Sequence, residues 1–69
     1  MRLRVRELRE QRGFTQVDLA RRSGITRMTI WKLENGERVS TSLATLSAIA
    51  RALEVPTNEL FFDEDAKHA

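Results

Sequence analysis

The segment 26–36, TRMTIWKLENG, brings a guanidinium, a thioether, an indole and an ammonium group into one short stretch. Arg27 and Lys32 carry positive charge and can only donate hydrogen bonds. Met28 and the only tryptophan of the chain, Trp31, offer apolar contact. None of these groups is a nucleophile beside a general base. The segment therefore predicts binding through hydrogen bonds, charge and apolar contact rather than catalysis.

Catalytic and metal-binding constellations are missing from the sequence. The chain has no cysteine, which excludes a disulfide framework and a thiolate zinc site. The single histidine, His68, is next to the last residue and cannot build a three-histidine site or a histidine-based catalytic pair. No glycine-rich phosphate loop is present. We therefore predict no enzyme activity, no metal site and no cofactor.

Charge is unevenly distributed along the 69 residues, whose net charge is +2. Residues 1–27 carry eight arginines against three acidic residues, a balance of +5, and residues 28–57 balance at zero. Residues 58–69 carry one lysine against four acidic residues, a balance of −3. A basic N-terminal half predicts a polyanionic partner. No apolar run approaches the ~18 residues of a membrane span, so we expect no membrane partner and a cytoplasmic protein.

Helices must position these groups, because apolar residues recur at spacings of three and four and no segment alternates like a strand. The spacing predicts five helices with short connections: segment 3–12, two helices after Thr15 and Thr26, one after Ser42, and a short one after Pro56. The predicted domain spans 1–62 and precedes a short, acidic, flexible tail, 63–69. The residues expected to face the core are Val5, Leu8, Leu19, Ala20, Ile25, Ile30, Leu33, Leu43, Leu46, Ile49, Ala50, Leu53, Leu60 and Phe61.

The second and third predicted helices flank a glycine, which is one sequence form of a helix-turn-helix. Ala20 is small enough for the next helix to cross close by, and Gly24 can adopt the left-handed backbone that the turn needs. The segment 13–36, GFTQVDLARRSGITRMTIWKLENG, resembles the Cro and phage-repressor type of helix-turn-helix in XRE-like transcriptional regulators. The resemblance extends over about residues 3–61. It implies an all-α, compact five-helix, lambda-repressor-like DNA-binding domain and a sequence-specific transcriptional regulator, a repressor.

The third helix has two faces, because Ile30 and Leu33 fall on one side at about 100° per residue. The residues on the opposite side are Arg27, Met28, Trp31, Lys32 and Asn35. The resemblance implies that Arg27, Met28 and Lys32 read base edges in the major groove of double-stranded DNA. Arg27 suits guanine O6 and N7, and Met28 suits a thymine methyl. Three roles are open for Trp31: contact with the groove wall, packing over Arg27 or Met28, and burial in a protein contact.

A second set of residues is expected to hold phosphates, which position a protein without specifying sequence. These residues are Gln16, Thr26, Asn35 and Arg38. Thr26 is expected both to cap its helix and to lie near a phosphate. Arg38 could instead be a solvated loop charge. The resemblance also implies a partly buried, structural ion pair between Arg9 and Glu34 that joins the first and third helices.

One monomer of this size reads only a few base pairs, so we predict a homodimer on a near-palindromic operator. The candidate dimer surfaces are the fourth and fifth helices, Phe62 and the tail, although Phe62 could equally belong to the core. When bound to DNA the protein would be associated with the nucleoid. The alternative function is an antitoxin or another protein-interaction module that uses the same bundle to hold an unidentified protein partner.

Overall fold

The computed structural model describes residues 3–36 and 42–61, and these residues form helices in the predicted order. The four α-helices are α1 (Val5–Gln11), α2 (Gln16–Ser23), α3 (Arg27–Glu34) and α4 (Leu43–Ala52), and a 3₁₀ helix (Thr57–Leu60) follows them. The all-α prediction is confirmed. Residues 37–41, which include Arg38, and residues 62–69, which include Phe62 and the predicted tail, lie outside the described residues.

The predicted fifth helix is not an α-helix but a single 3₁₀ turn. Pro56 precedes it in extended conformation, and Phe61 is extended again at its end. Phe61 forms an isolated antiparallel bridge with Leu3, and the Arg4 amide donates to the Leu60 carbonyl at 2.6 Å. Because this pairing takes up both chain segments, the 3₁₀ turn stops after Leu60 and α1 begins only at Val5.

Side-chain caps begin three of the helices, at the residues after which the sequence predicts them. Thr15 and Asp18 form a capping box at α2: the Thr15 hydroxyl accepts from the Asp18 amide, and the Asp18 carboxylate accepts from the Thr15 amide. Thr26 accepts from the Thr29 amide at α3, and Ser42 accepts from the Thr45 amide at α4. These bonds satisfy amide groups that the first helical turn leaves without partners.

The core forms where α2 packs against α3 and α4, with α1 against α3 and the 3₁₀ turn against α4. The predicted core residues are buried or packed against it, with one exception. Leu43 is 72% exposed, so its assignment to the core is wrong. Leu43 is the first residue of α4, and the buried stripe of that helix begins one turn later, at Leu46. Four further residues, which the spacing did not indicate, pack against the core: Leu3, Phe14, Ala52 and Val55.

The turn between α2 and α3 places α3 on the surface of the bundle. Gly24 adopts the left-handed conformation at φ 74°, and its amide donates to the Ala20 carbonyl at 2.9 Å. The Ser23 hydroxyl donates to the Leu19 carbonyl and accepts from the Ile25 amide, which closes the turn. Two short helices are thereby packed against each other over a common core, with one side of α3 left exposed.

No helix in the described ranges is long and apolar enough to cross a membrane.

Candidate nucleic-acid interface

α3 separates a buried side from an exposed side. Ile30 and Leu33 are buried in the core. Met28 is 63% exposed and Trp31 is 44% exposed, and Arg27 at the helix start is also exposed. Lys32, one turn after Met28, is half-buried. The three residues expected to meet base edges, and Trp31 with them, therefore lie away from the buried stripe of α3.

Three of these residues also line one open depression of about 400 Å³ on the surface. The described residues around it are Arg27, Met28 and Trp31. They come together because residues three and four positions apart are neighbours on a helix. The depression combines an apolar wall with a guanidinium group at the start of α3.

Thr26 begins α3 with its hydroxyl already engaged. The Thr26 Oγ1 atom accepts from the Thr29 amide at 3.2 Å and lies 3.0 Å from the Thr29 hydroxyl, to which it donates. A phosphate near this helix start would therefore meet main-chain amides of the first turn rather than the Thr26 hydroxyl. Such amides and the helix dipole together favour an anion.

The Gln16 side chain binds Glu34, a contact that the sequence did not indicate. Its Nε2 atom donates to Glu34 Oε1 at 3.1 Å, and the residue is half-buried. An amide nitrogen carries two hydrogens. The bond to Glu34 uses one of them, so a contact with phosphate would have to use the other.

Asn35 ends α3 and bonds to its own helix. Its Nδ2 atom donates to the Trp31 carbonyl at 2.8 Å, and the main-chain amide of Asn35 reaches the same carbonyl at 3.0 Å. The residue remains exposed, and its second amide hydrogen is outside this bond. Asn35 therefore closes the helix and keeps polar atoms at its outer end.

A buried carboxylate links α3 to α1 and α2. Glu34 accepts from Arg9 Nε at 2.7 Å, from Arg9 Nη2 at 3.1 Å and from Gln16 Nε2 at 3.1 Å. The Glu34 side chain is completely buried, the Arg9 side chain is only 11% exposed, and Arg6 Nε approaches at 3.5 Å. Burial acts to raise the pKa of Glu34, but the hydrogen bonds from Arg9 and Gln16 outweigh it and leave that pKa below its ordinary value. This carboxylate therefore stays ionised and orients three neighbours.

Other arginines of the basic N-terminal half have structural contacts that sequence spacing did not indicate. Arg22 lies over the Phe14 ring, with its guanidinium carbon 4.3 Å from the ring centre. Arg12 pairs with the Glu54 carboxylate at 3.0 Å, and Arg4 pairs with Glu59 at 3.3 Å. Only part of the predicted positive charge is therefore available to a polyanion.

Two short helices about a left-handed glycine, with a partly cationic and exposed second helix, define a helix-turn-helix domain. The comparison with protein families agrees, because the helix-turn-helix family model matches residues 5–60. The chain belongs to the Cro/C1-type, XRE-like helix-turn-helix family, which consists of DNA-binding regulators of transcription rather than enzymes. The predicted family is confirmed.

Relatives and a solved structure agree with this assignment. An uncharacterised helix-turn-helix-type transcriptional regulator of Methanothermobacter thermautotrophicus is 53% identical over 77% of this chain and 75% of its own length. The transcriptional repressor RghR of Bacillus subtilis is 38% identical over 84% of this chain, which spans 43% of that protein. The crystal structure of the restriction-modification controller protein C.AhdI from Aeromonas hydrophila superposes with a TM-score of 0.78. The controller protein is 40% identical to this chain, and the match covers 84% of this chain and 86% of the controller protein's chain.

Proposed function

We propose that this protein is a sequence-specific repressor of transcription that reads the major groove of double-stranded DNA with α3. The observation that supports this most strongly is the division of α3 into two sides. Ile30 and Leu33 anchor the helix in the core, while Arg27, Met28 and Trp31 stand exposed beside one another. A helix with this division suits the width of the major groove, where its N-terminal residues meet base edges.

Each exposed side chain of α3 makes a different kind of contact with DNA. Arg27 donates two hydrogen bonds to guanine O6 and N7, which discriminates that base pair by about 1–3 kcal/mol. Met28 provides apolar contact beside it. Lys32 reaches a base or phosphate one turn further along the groove. Trp31 packs at the groove wall, where its partly exposed ring loses contact with water.

Phosphate contacts fix the position of α3 in the groove. The first turn of α3, at Thr26, and the second amide hydrogen of Gln16 hold one backbone segment. Asn35 and Arg38 hold another at the far end of the helix. The Arg9–Glu34 pair supports this arrangement without touching DNA, because Glu34 also holds the Gln16 amide.

The active form is a homodimer on a near-palindromic operator. Two copies of α3 about 34 Å apart would enter successive major grooves on one side of the duplex. Such a protein works in the cytoplasm, on the nucleoid. Its predicted domain spans 1–62, with residues 63–69 as an acidic tail. Sedimentation of the free protein and of its complex with DNA tests the dimer directly.

A binding titration with a salt series tests the proposed function. Fluorescence anisotropy would follow duplexes with a random core between about 50 and 200 mM salt, where phosphate contacts weaken affinity steeply. We expect a steep loss of affinity with salt. On the sequence selected from the random pool, Arg27→Ala should bind roughly 5- to 150-fold more weakly.

Arg21→Ala is the matched control, because Arg21 is an exposed arginine of α2 and the change removes the same charge. It should retain the base preference of the wild type. Absence of binding to any duplex at low salt would overturn the proposed function. An equal loss of base preference in both arginine variants would overturn the assignment of α3 as the reading helix.

A further inference from the structure

The depression on α3 has a composition that a phosphate backbone alone does not explain. Its described walls are the mostly exposed Met28 thioether chain and the partly exposed Trp31 ring, with the Arg27 side chain beside them. Apolar surface in water is unfavourable by roughly 25 cal/mol per Å². A ligand that fills this depression must therefore offer an apolar group and, next to it, acceptors for a guanidinium.

A base step in the major groove offers this combination. Guanine presents O6 and N7 to the groove, and thymine presents a methyl group on C5. When a pyrimidine precedes guanine on the same strand, its C5 substituent lies beside the guanine edge in the groove. An arginine bound to that guanine thus has the methyl group against its side chain. An apolar protein segment in the same place would leave Arg27 without an acceptor, which is unfavourable once the group is desolvated.

We infer that Arg27, Met28 and Trp31 together read a 5-methylpyrimidine followed by guanine. Arg27 holds the guanine, and Met28 and Trp31 enclose the methyl group. A thymine–guanine step is then favoured over uracil–guanine, and 5-methylcytosine–guanine is favoured over cytosine–guanine. This inference rests on the proposed function, since it specifies what the same surface of α3 recognises.

The expected difference in affinity between methylated and unmethylated duplexes follows from the burial of one methyl group per half-site. Burial of a methyl or methylene group contributes about 0.8 kcal/mol, which is roughly a fourfold change in affinity. In a dimer with two equivalent half-sites, both methyl groups contribute, so their loss lowers affinity roughly 15-fold. Removal of the Trp31 ring opens one wall of the depression and should bring the ratio between methylated and unmethylated duplexes close to one.

The experiment starts from duplexes with a random core of about 20 base pairs, which is long enough for two half-sites one turn apart. The enriched sequence is then made in four forms that differ only at the pyrimidine before the guanine: thymine, uracil, 5-methylcytosine and cytosine, each paired with its complement. Affinity is measured for wild type, Trp31→Ala and the control Val17→Ala. Val17 is an apolar residue of α2 that is as exposed as Trp31 and does not line the depression.

We expect wild type and Val17→Ala to bind the thymine form about fourfold per half-site more tightly than the uracil form, and to show the same preference for 5-methylcytosine over cytosine. Trp31→Ala should lose both preferences while it keeps its circular dichroism spectrum. Because Trp31 is the only tryptophan, its fluorescence should also change when the thymine duplex binds.

The results separate this inference from the proposed function. Binding with equal affinity for all four forms, or an enriched sequence without a pyrimidine–guanine step, would overturn methyl recognition and leave DNA binding in place. Unchanged Trp31 fluorescence at saturation would also overturn it. If no duplex is enriched or bound even at low salt, the proposed function fails as well.

Discussion

Removal of the Glu34 carboxylate should destabilise the fold far more than removal of an exposed carboxylate. Glu34 has no exposed side-chain surface and accepts three hydrogen bonds of 2.7–3.1 Å from Arg9 and Gln16. In Glu34→Ala the guanidinium of Arg9 stays mostly buried without its anion. Breaking a buried pair from one side costs about 3–5 kcal/mol.

The structure points to the lower end of that range. Arg9 keeps its bond to the Phe14 carbonyl at 2.8 Å, and a small part of its side chain reaches solvent. Arg6 is 56% exposed and is readily solvated again. We therefore expect a loss of about 3 kcal/mol, which approaches the whole stability of ~3–5 kcal/mol expected for a core of this size. The corresponding fall in Tm is roughly 12–24 °C.

Thermal and urea unfolding, followed by circular dichroism, measure this loss. The control is Glu54→Ala, because Glu54 also pairs with an arginine at 3.0 Å but its side chain is 75% exposed. An exposed pair contributes only about 0–1 kcal/mol. The single variants Arg9→Met and Glu34→Leu each lower the free energy of unfolding. The double variant Arg9→Met/Glu34→Leu should lower it by about 1–3 kcal/mol less than the sum of these two losses. A Tm for Glu34→Ala within about 4 °C of the wild type, or a loss equal to that of Glu54→Ala, would refute the reasoning.

Three further predictions concern stability. Thr15→Ala removes the α2 cap and should cost about 1 kcal/mol, seen as a Tm lower by roughly 4–8 °C, whereas Thr15→Ser should restore it. Gly24→Ala should cost about 1–2 kcal/mol in urea unfolding through backbone strain alone, because φ is +74° and a Cβ there would meet nothing within 4 Å; Gly24→Asn should cost less, and equal costs would contradict this. The pKa values of Glu34 and Asp18 are lower in the folded state than in the unfolded state. Both carboxylates therefore stabilise the fold at a pH above their ordinary pKa values, and this stability is lost as the pH falls through their pKa values in the folded state. Urea unfolding below about pH 4.5 should therefore show the stability difference between wild type and Glu34→Gln shrinking, and a difference that stays constant with pH would exclude this linkage.

Local chemistry made much of this fold predictable from the sequence. A cap such as Thr15 bonds to an amide three residues away, so its role depends only on near neighbours. The left-handed turn at Gly24 depends on the absence of a side chain, and the burial of Ile30 and Leu33 follows from their spacing on one side of a helix. These features needed no knowledge of distant residues, and the structure has all of them.

Tertiary contacts decided the features that depend on residues far apart in the chain. Gln16 looks like a surface amide in the sequence, but the folding of α3 against α2 brings Glu34 within hydrogen-bond distance of it. Leu43 has helical spacing with the core residues of α4, yet it precedes the region that the other helices cover and stays exposed. The expected short fifth helix is a single 3₁₀ turn that ends where Phe61 pairs with Leu3.

In the candidate site, too, some features follow from the sequence and others depend on tertiary contacts. The sequence by itself determined that α3 would carry Arg27, Met28 and Trp31 away from the core, because helical geometry follows from spacing alone. Only the tertiary structure buried the carboxylate of Glu34 behind the helix, where it meets Arg9 and Gln16. The physical reason is that a helix period sets the side on which a residue lies, whereas rotamers and contacts between helices set what that residue touches.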